Sequence, residues 1–64
     1  MKIYTLTSAG RTVAKNATGN DGESKILSYL HETKVADEDQ LGILGGRGAI
    51  YLLKKHNLIK QVNE

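Results

Sequence analysis

The chain has no cysteine and no proline. Without cysteine it can build neither a disulfide framework nor a thiolate zinc site, so packing alone must hold the fold. The same absence fits an intracellular protein and leads to an expected cytoplasmic location. No internal repeat or low-complexity segment marks a linker, so residues 1–64 read as one domain. No apolar run reaches the roughly 18 residues of a membrane span. The opening MKIYTLTSAG lacks the sustained apolar stretch of a signal peptide. A soluble protein with no membrane partner is the expectation, and the Asn16-Ala17-Thr18 sequon then carries no meaning.

A domain of 64 residues is near the lower limit of independent folding and buries roughly 60% of the surface its unfolded chain exposes. Such a core leaves little room for an enclosed substrate site, which favours a binding module over an enzyme. The net charge of +2 hides a division along the chain. Residues 1–20 carry Lys2, Arg11 and Lys15 with no acid; residues 21–39 carry a net charge of −4; residues 40–64 return to +3. If folding joins the two basic ends, one surface holds most of the positive charge.

Lys2 to Leu6 reads as a strand, with Ile3 and Leu6 inward. Thr7 stands at an N-cap position before a short helix over Ser8–Lys15, although Gly10, Thr12 and Val13 leave a hairpin as the competing reading. Asn16 to Gly22 is a loop. A helix from about Glu23 to Thr33 carries Ile26, Leu27 and Leu30 on one face, capped by Asp21 or Ser24. Asp37 opens a further helix over Glu38–Leu44, which Gly45-Gly46 ends by permitting a left-handed residue. The next helix, Arg47 to His56, stops at Asn57, a residue tolerant of the same conformation. Leu58 to Val62 reads as a strand. Lone strands would leave their backbones unpaired, so the first and last are expected to pair antiparallel. The fold expected is therefore α+β: three to four helices with a two-stranded antiparallel sheet joining the N- and C-terminal strands.

On a helical wheel of about 100° per residue, Ala49, Ile50, Leu52 and Leu53 share one side of the last helix. Arg47, Tyr51 and Lys54 cluster opposite, with Lys55 at the edge. An apolar face backed by a basic face with one exposed aromatic is the shape of a DNA-recognition helix. It is also the shape of many surface helices.

Two runs resemble signatures of the winged-helix superfamily. Tyr4-Thr5-Leu6-Thr7-Ser8-Ala9-Gly10-Arg11 is similar to the Y-x-L-T-x-x-G-R run where the last wing strand enters a C-terminal helix. Tyr51-Leu52-Leu53-Lys54-Lys55-His56-Asn57-Leu58-Ile59 is similar to the L-x-x-x-G-L-I run where a recognition helix enters the first wing strand, with Asn57 in place of glycine. Similar runs occur in the DNA-binding-like N-terminal modules of archaeal phenylalanyl-tRNA synthetase alpha subunits. Here the wing-exit run comes first, so the order looks circularly permuted, without a continuous wing hairpin. The resemblance implies a small DNA-binding protein acting in transcription or in the life cycle of a virus or plasmid.

The expected nucleic-acid contacts are Arg47, Tyr51, Lys54, Lys55, Lys60, Arg11 and Lys2, with double-stranded DNA as the partner. A homodimer or a protein partner is a further expectation, and the alternative function is a protein-interaction module on the same scaffold in which Tyr51 and its neighbours form a docking patch. Gly45-Gly46-Arg47-Gly48 lacks the lysine and hydroxyl residue of a P-loop, and its bland role is a helix end. His31 and His56 have no ligand spacing; His56 is expected to lie partly buried or at the helix C-terminus. Asp37, Glu38 and Asp39 point different ways on a helix start and suit its dipole. No catalytic arrangement emerges, and no cofactor or metal is called for.

Overall fold

A computed structural model describes residues 1–63. The elements run β1 (Ile3–Leu6), α1 (Ser8–Lys15), α2 (Gly22–Thr33), β2 (Val35–Asp37), α3 (Glu38–Lys55) and β3 (Ile59–Gln61). This is an α+β domain in which the first and last strands pair antiparallel, Leu6 opposite Ile59 and Tyr4 opposite Gln61. Past Gln61 the pairing continues: Val62 N–H donates to Ile3 O at 2.8 Å. The Asn63 side chain closes the end, accepting from Ile3 N at 2.7 Å and donating to Met1 O at 2.7 Å.

The sheet has three strands rather than the two expected, in the order β2-β1-β3. β2 fills the other edge of β1, with Thr5 opposite Val35 and Ile3 opposite Asp37. The chain turns into it at Lys34, whose φ of 75° ends α2. Lys34 N–H donates to Leu30 O at 2.9 Å, and the Thr5 hydroxyl donates to Lys34 O at 2.6 Å. A lysine in that conformation gives no turn signal, which is why the strand is invisible in the sequence.

A second correction concerns the phase of β1. Tyr4 and Leu6 face the core, and Ile3 does not. Side chains alternate along a strand, so Ile3 and Leu6, three apart, cannot both point inward.

The helices are capped as the sequence suggests. Thr7 Oγ1 accepts from Gly10 N at 3.0 Å, Asp21 from Ser24 N at 2.8 Å and Asp37 from Gln40 N at 2.8 Å. α3 bends at Gly46, whose φ of 85° and ψ of 162° are not helical, leaving two limbs, residues 38–45 and 47–55. Beside the bend α2 crosses at backbone contact, since a Cβ on Gly22 or Gly45 would strike the other's carbonyl oxygen. The second limb ends in a Schellman turn: Leu58 N donates to Leu53 O at 2.9 Å and Asn57 N to Lys54 O at 3.0 Å, with Asn57 at φ 60°.

Leu30, Ile50 and Leu53 are buried at the centre of the core, as their helix faces suggest, together with Leu41, Tyr4, Ile26 and Ile59. Leu52 is not on the buried stripe. It is 40% exposed, because it sits about 100° around the helix from Leu53. His56 is exposed at the helix C-cap rather than partly buried.

Candidate nucleic-acid interface

The bend at Gly46 sets residues 47–55 apart as a separate limb, anchored by Ile50 and Leu53. Arg47, Tyr51 and Lys54 follow at i, i+4 and i+7, which puts them on one face of a helix. All three are exposed, Tyr51 at 63%. Lys2 arrives from the other end of the chain. Its carbonyl accepts from Glu38 N at 2.9 Å, which ties the start of β1 to the start of α3.

These residues line one open cleft of about 310 Å³, walled by Lys2, Tyr4, Glu38, Arg47, Ile50, Tyr51 and Lys54. Three cations and one carboxylate make it a positive site. Lys54 Nζ lies 5.5 Å from the centroid of the Tyr4 ring, within range of a cation–π contact that keeps the ammonium against the wall. Tyr4 itself is fully buried, and its hydroxyl is the one buried side-chain polar atom without a hydrogen-bond partner among the described residues.

The other three expected contacts lie elsewhere. Lys55 is exposed but turned about 100° from Lys54 around the helix. Lys60 pairs in register with Thr5, which puts both on the sheet face opposite Tyr4. Arg11 lines a different cleft of about 340 Å³ with Thr5, Leu6, Leu30, His31 and Lys34. The basic ends do meet, yet the positive charge divides between surfaces.

Sequence reasoning missed Tyr4 and Glu38 as parts of the cleft. The signal for Tyr4 was its spacing from Leu6, which a strict two-residue alternation would have used. It also missed Ile43, which is 86% exposed near the bend with no polar residue in its place.

Among the described residues no group of three His, Cys, Asp or Glu side chains could hold a metal, and no helix is long and apolar enough to cross a membrane. No family model, no curated protein and no solved structure matches this chain.

Proposed function

We propose that the chain is a small winged-helix-like DNA-binding protein, a regulator of transcription or of a viral or plasmid life cycle, that lays residues 47–55 along double-stranded DNA. The observation that carries this reading is the cleft that joins Lys2 to Arg47, Tyr51 and Lys54 around a helix limb with its opposite face buried. The order of elements supports it. A helix, an edge strand, a bent helix and a last strand, with β1 between β2 and β3, suit a winged helix whose last wing strand has moved to the front. Arg47 and Tyr51 lie at the leading end of the limb, where base edges come within reach. Lys54 lies further back, nearer the phosphates, and Lys2 adds a cation from the sheet.

Fluorescence anisotropy with a labelled duplex across a salt series tests the reading. Three or four phosphate contacts give a log–log slope of about −3 to −4. Arg47→Ala should cost about 1–3 kcal/mol and relax sequence preference. Lys54→Ala should weaken binding to all sequences alike and make the slope shallower by about one unit. A wild-type affinity no tighter than about 0.1 mM at about 50 mM salt, weaker than ordinary non-specific binding, ends the proposal. One observation favours protein docking as a second reading: Tyr51 is 63% exposed on the second limb, and aromatic residues are enriched at protein interfaces.

A further inference from the structure

A buried tyrosine hydroxyl normally has a partner, because without one it gives up the hydrogen bonds that water would make to it. Tyr4 is wholly buried and its hydroxyl has none, while three other groups on the wall of the same cleft are cations: Lys2, Arg47 and Lys54. Lys54 Nζ lies 5.5 Å from the centroid of the Tyr4 ring, which places its charge at the cleft. An open, net-positive cleft that Tyr4 borders, with that residue's unused donor covered just beneath the wall, suits a ligand that brings several strong acceptor oxygens on a small anionic group. We infer that this cleft is a phosphate site, in which the Tyr4 hydroxyl donates to a phosphate oxygen and Lys2, Arg47 and Lys54 balance the charge.

Glu38 is the one carboxylate on the wall, and against three cations it leaves the cleft net positive. The phosphate has two sources, a DNA backbone or a free phosphorylated small molecule. The first rests on the function proposed above; the second does not.

Tyr4→Phe tests the inference because it removes one oxygen and nothing else. Amide chemical shifts of Lys2, Tyr4, Arg47 and Lys54 are followed by NMR as inorganic phosphate is added, against sodium chloride at matched ionic strength. Phosphate should move them saturably in the wild type. In Tyr4→Phe the affinity should fall about tenfold, the loss of one hydrogen bond to a charged oxygen. Thermal unfolding of the ligand-free variant should be no lower than wild type, since the lost hydroxyl had no partner. No saturable shift, equal affinity in the variant, or a lower unfolding temperature would overturn the site.

The duplex arm then locates the source. A tenfold weaker duplex affinity in Tyr4→Phe with the salt slope unchanged, since tyrosine is neutral, supports the site with a DNA phosphate in it. Unchanged duplex binding alongside lost phosphate binding supports it with a free ligand. If wild type binds phosphate but no duplex, the DNA reading fails and the phosphate site stands.

Discussion

Thr7 and Gly10 show what the first of the two family-like runs does physically. Thr7 N–H donates to Leu58 O at 3.0 Å, its hydroxyl donates to Asn57 O at 2.6 Å, and the same oxygen caps α1. Gly10 lets the helix close on this turn, because a Cβ there would run into the Leu58 carbonyl. The first run thus grips the turn in the second, a structural role apart from any binding role. Gly10→Ala should cost at least about 2 kcal/mol, since backbone rather than a flexible side chain must move. Gly48 makes the contrast. It is exposed in a helix, and a Cβ there would meet nothing within 4 Å, so Gly48→Ala should stabilise by about 0.5–1 kcal/mol. Urea unfolding of the two variants checks both signs.

At the scale of elements, capping decides where helices begin, and one cap reports on pH. Asp21 accepts from Ser24 N–H, with a further hydrogen bond from the Ser24 hydroxyl, and these hold its carboxyl below the ordinary 3.8. A pKa lowered by folding contributes stability above the unfolded value and loses it as pH falls through the folded one. Asparagine caps as well as aspartate but does not titrate. The stability difference between wild type and Asp21→Asn should therefore be flat above the carboxylate range. It should move against the wild type only as pH falls below about 3.8. Acid titration of both proteins by circular dichroism checks this, and a difference that changes only near neutrality would show that another group controls the acid limb. The bend in α3 is set in the same local way. Gly46 takes a φ of 85° that side chains resist, and the two limbs on either side bury Leu41 on one and Ile50 and Leu53 on the other.

For the whole molecule, the small core makes every central side chain count. Leu53 is 2% exposed and belongs to both the second limb of α3 and the turn that Thr7 holds. Leu53→Ala should cost about 2–5 kcal/mol, a large share of the stability of any small domain. Urea unfolding should then show a lower midpoint with the slope kept, and a loss under about 1 kcal/mol would put the wrong face of the limb inward. Charge is also a property of the whole. The basic ends are brought together by β1 and β3, yet the register of those strands sends Lys60 to the far face of the sheet. The sheet therefore limits how many cations share one surface.

The helix caps, the bend at Gly46, the left-handed Asn57 and the pairing of the terminal strands were all legible in the sequence. Each depends on the chemistry of a few neighbouring residues or on the need to satisfy lone strand backbones. Four of the seven expected contact residues, Lys2, Arg47, Tyr51 and Lys54, also meet, because three follow from helical spacing alone. The tertiary structure decided the rest. β2 exists because the free edge of β1 has donors and acceptors to pair, a reason that lies outside the three residues of the strand itself. Tyr4 faces inward because the strand's phase is set by what the helices cover. Arg11 and Lys60 leave the site because a charge written near others in sequence follows its own element once the elements pack.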